Sequence, residues 1–130
     1  MKSVIFYLGM ATLFTHEVDA MPNHEWRIFP LTSMLSDDMG MIIFILAHIP
    51  LFALVVALVA STNFKVRRRS RIGISLFLIF HGLLHSLARN EVGYEFSSVL
   101  SNSIIFGGAV LGLVFIIWDY LEMKLNKDRA

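Results

Sequence analysis

"MGMIIFILAHIPLFALVVALVA", residues 39–60, contains no charged side chain, and His48 is its single ionisable group. A helix crossing the hydrocarbon of a bilayer needs about 17–25 predominantly apolar residues, so this stretch reads as a membrane span. Three further apolar segments flank it. One runs from Val4 to Phe14 and extends as helix to Ala20, one covers Ile72–Ala88, and one covers Val99–Leu121. The chain as a whole is 56% hydrophobic with a mean hydropathy of +0.68. A soluble domain of 130 residues has too little interior to hide so much apolar surface. The expectation is therefore an all-α integral membrane four-helix bundle, one domain over 1–130, with spans at about 3–20, 39–60, 72–88 and 99–121.

Charge sets the direction. "KVRRRSR" at 65–71 carries five of the eleven basic residues. Between two apolar segments this run predicts a cytoplasmic loop and not a nucleic-acid site. That choice also places Lys2 and the C-terminal "KLNKDR" inside, so both termini are cytoplasmic. The acids Glu25, Asp37, Asp38, Glu91 and Glu95 then fall on the outer side. Ser36-Asp37-Asp38 suits the start of the second helix, and Ser97-Ser98 the start of the fourth. Pro50 is expected to kink the second span just after His48. The Gly108/Gly112 step permits close helix approach, either inside the bundle or between two copies. A rival reading takes the first twenty residues as a secretory signal, with "VDA" before Met21 as the cleavage site. His16, Glu17 and Asp19 crowd that site with charge and speak against it.

The absence of cysteine removes thiolate ligands, a Cys nucleophile and disulfides. Any metal here is held by nitrogen and oxygen. The five histidines all fall in the outer half. At 1.5 Å rise per residue, His48 lies roughly 15 Å and His81 roughly 12 Å below the outer surface. His81 and His85, in "HGLLH", share a helix face. An ionisable group at such depth faces the bundle interior and has a partner. His81 and His85 with His16 or His48 as third ligand predict a divalent metal site, zinc or iron. Glu17 or Asp19 is then the base of a metal-dependent hydrolase acting on a lipid or another outer-side substrate. His24, Glu25, Arg27 and Asn102 are secondary candidates. Arg27 is expected to pair with Glu17, Glu25 or a lipid phosphate, and Trp26 to act as an interfacial anchor. "HEVDA" is half of an HExxH motif, but Ala20 stands at the second histidine position, so it is no metalloprotease signature.

Other readings stay open. His48 and His81 can face one another as the axial pair of a haem b. The histidines and acids can form a non-catalytic polar network in a structural or accessory protein. A proton or solute path is disfavoured, because the inner half offers only Asp119 and Glu122, read as a wet helix end. A homodimer or another membrane partner is compatible with all of these.

"THEVDA", "HEWRIFP", "AHIPLF" and "HGLLH", in this order, resemble a family of small bacterial four-helix membrane proteins whose function is not established. The resemblance spans about residues 8–98. It implies a multi-pass protein of the bacterial inner membrane, a retained first helix, and an outer cluster that acts as one unit. A looser similarity of ligands, not of fold, exists with membrane ceramide hydrolases, which hold zinc with three His, an Asp and a Ser. Membrane desaturases need more histidines than these five.

Overall fold

The computed structural model describes residues 1–128; Arg129, part of the C-terminal basic cluster, lies outside them. The described residues form four α-helices, α1 (Lys2–Ala20), α2 (Asp37–Val59), α3 (Phe64–Ala88) and α4 (Val99–Lys127), with a 3₁₀ turn at Glu25–Arg27 between α1 and α2. No strand occurs among the described residues. Three of the helices, α2, α3 and α4, are long and apolar enough to cross a membrane. The fourth, α1, has 19 residues and ends in the polar turn that holds His16, Glu17 and Asp19.

Each packing face is a stripe at three- and four-residue spacing, as one side of a helix requires. On α1 it is Phe6, Gly9, Leu13, His16 and Ala20. On α3 it is Ser75, Leu78, Gly82 and His85. On α4 it is Ser101, Ile105, Gly108, Gly112, Phe115 and Asp119. Helix α4 lies between α1 and α3 and packs closely on both, whereas α2 leans on α3 and on the 3₁₀ turn. Only 11% of the apolar stretch of α2 is buried inside the chain. Its Leu46, Ile49 and Leu54 point outward, as do Phe80 of α3 and Val110 of α4.

Small residues set the spacing of the helices. A Cβ on Gly112 would meet the Ser75 carbonyl oxygen at 2.6 Å, and one on Gly108 would meet Thr12 Oγ1 at 2.8 Å. The Gly108/Gly112 step therefore serves packing within the chain, against α3 and α1.

Four local expectations are corrected. The basic run 65–71 is helix and not loop: α3 starts at Phe64, with Asn63 Oδ1 accepting from the backbone N–H groups of Lys65 and Val66. Ser36 occupies the N-cap of α2, but its hydroxyl makes no capping bond. Trp26 is not an exposed anchor: its ring is buried inside the chain and its indole N–H donates to Asp37 Oδ1 at 2.9 Å. Asp119 is not a wet helix end: it is 4% exposed and held by Arg68 and Lys2. Those two pairs join the starts of α1 and α3 to the end of α4, so the basic residues of all three gather at one end.

Candidate metal centre

His16 sits one turn before the end of α1, on its buried stripe, and is 2% exposed. His81 and His85 stand one turn apart on α3 and both face it. Ring centroids are 4.6 Å apart for His16–His81, 5.0 Å for His16–His85 and 4.5 Å for His81–His85. The fourth group comes from the loop. His24 takes a left-handed backbone conformation, φ 49°, which turns the chain back over the bundle and aims Glu25 inward. Glu25 Oε2 lies 3.3 Å from His16 Nε2, and Oε1 lies 4.0 Å from His85 Nε2. One donor atom from each of His16, Glu25, His81 and His85 lies within 4.8 Å of the others, so this group could hold a metal ion.

The hydrogen bonding of the cluster is incomplete. Both ring nitrogens of His16, Nε2 of His81 and Oε2 of Glu25 are buried without a hydrogen-bond partner. The 3.3 Å approach of His16 to Glu25 is not aligned as a hydrogen bond. Leaving a buried donor or acceptor unpaired costs about 1–3 kcal/mol, so these atoms together require an explanation. A cation that takes one lone pair each from His16, His81 and Glu25 accounts for three of these four atoms; the other ring nitrogen of His16 carries the N–H and gains no partner from it. Around zinc, with bonds near 2.0–2.2 Å, tetrahedral ligand atoms stand roughly 3.3–3.6 Å apart. The His16–Glu25 distance already falls at that separation, and the wider ones need a small contraction.

Burial alone would raise the Glu25 carboxyl, but His16, His81 and His85 pull it below the usual carboxylate range. That direction suits a ligand, which must be ionised. His85 Nδ1 is 3.1 Å from the Tyr94 hydroxyl. With Tyr94 accepting, Nδ1 carries the proton and Nε2 keeps its lone pair for the ion. Burial also raises the Tyr94 phenol. Phe96, fully buried, packs against His16 and His85 and walls the centre from that side.

The other candidates lie outside this group. His48 is turned away: its Nδ1 donates to the Phe44 carbonyl at 2.7 Å and its Nε2 lies 2.9 Å from Glu17. Both nitrogens are engaged, which leaves neither for an axial haem bond in this arrangement. Asp19 has a buried Oδ2 without a partner. His24 pairs with Glu95 at 2.9 Å. Arg27 forks onto Asp37 with two bonds of 2.7 Å, not onto Glu17 or Glu25. Asn102 accepts from Arg89 and donates to the carbonyls of Phe96 and Ser98, a structural use. Tyr94 and Phe96 support the centre without any mark in the sequence, where no pattern singles out a lone aromatic as a ligand support.

The class defined by these features is an all-helical chain with membrane-length helices and a buried His₃Glu cluster. The chain belongs to the family of unknown function DUF6713, whose family model covers residues 2–121 and so includes every residue of the cluster. No curated protein and no solved structure matches it.

Proposed function

We propose that this is a multi-pass protein of the bacterial inner membrane, with both termini cytoplasmic, that binds one divalent transition-metal ion at its outer end through His16, Glu25, His81 and His85. The observation that carries this is the convergence of four donors from three segments, with buried polar atoms of His16, His81 and Glu25 that have no hydrogen-bond partner among the described residues. A mutually bonded polar network is less well supported, because the three imidazoles do not hydrogen-bond one another. Three imidazoles and a carboxylate favour zinc over the two-histidine set typical of non-haem iron. The gathering of Lys2, the 65–71 run and Lys124/Lys127 at the opposite end supports the orientation.

Titration of metal-stripped protein with Co²⁺, followed by absorbance, tests this reading. One equivalent with the intense visible bands of tetrahedral cobalt is the expected result. Tyr94→Phe is expected to keep the helix content and weaken binding by about 10–100-fold, as loss of an outer-shell partner does. Absence of uptake, or a weak six-coordinate spectrum, contradicts the assignment.

A second reading, hydrolysis of a lipid or another outer-side substrate, is favoured by the unpartnered carboxylate oxygen of Asp19. Asp19 would take a proton from the attacking water and return it to the leaving group. With a fluorescent phospholipid or p-nitrophenyl acetate as probe, Asp19→Asn is expected to keep the metal and lose about 10²–10⁴-fold in rate. Equal rates in parent and variant sink this reading and leave the metal site standing.

A further inference from the structure

The end of the bundle away from the metal centre holds a second polar construction. Asp119 accepts from Arg68 Nε and Nη2 at 3.1 and 2.7 Å and from Lys2 Nζ at 3.1 Å, and Glu122 also takes Lys2. Beside this clamp lies a cavity of about 290 Å³ lined by Lys2, Arg67, Arg68 and Arg71. Asp119 and Glu122 complete its charged lining, so four cations face two anions and a formal excess of two positive charges remains. That excess resides on Arg67 and Arg71. Among the described residues their hydrogen bonds go to neutral groups: Ser61 and Thr62 carbonyls for Arg67, and Val59 O, Ser3 and Tyr7 for Arg71. No carboxylate of the described residues lies within ion-pair distance of either guanidinium. Apart from Asn126, the rest of the lining is apolar: buried Phe115 and the exposed side chains of Met123 and of Phe64, whose ring centroid lies 5.9 Å from Arg67 Cζ.

We propose that this cavity binds the headgroup of an anionic phospholipid of the inner leaflet, with the phosphate at Arg67 and Arg71 and the first acyl carbons along Phe64 and Met123. The chemistry fits on three counts. Guanidinium is weakly hydrated and matches phosphate oxygens through its planar fork. Basic pockets between helices on the cytoplasmic side are where anionic headgroups dock. A free anion would have no use for the apolar wall, whereas a lipid has. The inference rests on the membrane orientation given under the proposed function and is independent of the metal: failure of either leaves the other in place.

The test uses the full chain in neutral detergent, doped with phosphatidylglycerol or with phosphatidylcholine, and reads lipid retention by native mass spectrometry and the thermal midpoint. Phosphatidylglycerol is expected to be retained and to raise the midpoint, and phosphatidylcholine to do neither. Arg67→Gln is expected to weaken retention by at least about tenfold, the effect of one charge-assisted hydrogen bond. Arg69→Gln removes the same charge from an exposed position outside the cavity and is expected to stay within about fivefold of the parent. Equal losses in the two variants would reduce the effect to general surface attraction and overturn the proposal. So would retention of both lipids, or the same stabilisation by millimolar inorganic phosphate. If Arg67→Gln does not fold by circular dichroism, the comparison of the two lipids on the parent decides.

Discussion

Glu25→Gln is expected to weaken zinc binding by at least the roughly 100-fold that marks the upper end for outer-shell changes, while Glu17→Gln leaves it nearly unaltered. The two residues are both acids beside histidines in the same short region, and only their positions separate them. Glu25 presents two oxygens to the cluster, at 3.3 Å from His16 and 4.0 Å from His85. Glu17 is taken up instead by α2, where His48 engages it at 2.9 Å. Glutamine keeps the size of the side chain and removes the charge that balances a divalent ion, so packing changes little. Isothermal titration of both variants against a competing chelator reads the difference. Equal weakening would mean that both carboxylates reach the ion; weakening confined to Glu17→Gln would displace Glu25 from the site.

Gly112→Leu is expected to destabilise the bundle by about 3 kcal/mol or more, above the usual 1–3 kcal/mol of overpacking. The reason is what the new side chain meets. A Cβ at 112 would stand 2.6 Å from the backbone carbonyl oxygen of Ser75, and a backbone atom in the middle of a helix has nowhere to go. Helix α3 must shift, and with it His81 and His85, so metal affinity is expected to fall as well. Gly107, on the same helix, is the control: a Cβ there has nothing within 4 Å. Gly107→Ala is expected to hold or gain up to about 1 kcal/mol through better helix propensity. Denaturant or thermal unfolding in detergent measures both.

The membrane-length helices are legible in the sequence because their signal is local: a predominantly apolar run of about seventeen residues or more has few alternatives. The same holds for His81 and His85, whose four-residue spacing puts them on one face in any helix. Features that depend on distant partners or on one backbone angle are not legible in this way. The turn at residues 21–23 fixes no direction for the residues after it, and the left-handed His24 decides that Glu25 points inward. Trp26 reads as an interfacial anchor until Asp37, on the next helix, is seen to take its N–H. Asp119 looks like a solvated helix end because its partners, Lys2 and Arg68, are 117 and 51 residues away. The basic run at 65–71 reads as a loop because its charge obscures a helix start that Asn63 caps.

The presence of an ion is most directly read from the elemental composition of the protein, purified in detergent without added metal, beside the His81→Ala/His85→Ala double variant. About one zinc per chain in the parent and none in the variant is expected. A parent that is empty as purified, and stays empty after incubation with Zn²⁺, Fe²⁺ or Co²⁺, would contradict the metal centre and leave the unpartnered atoms of His16, His81 and Glu25 in need of another partner.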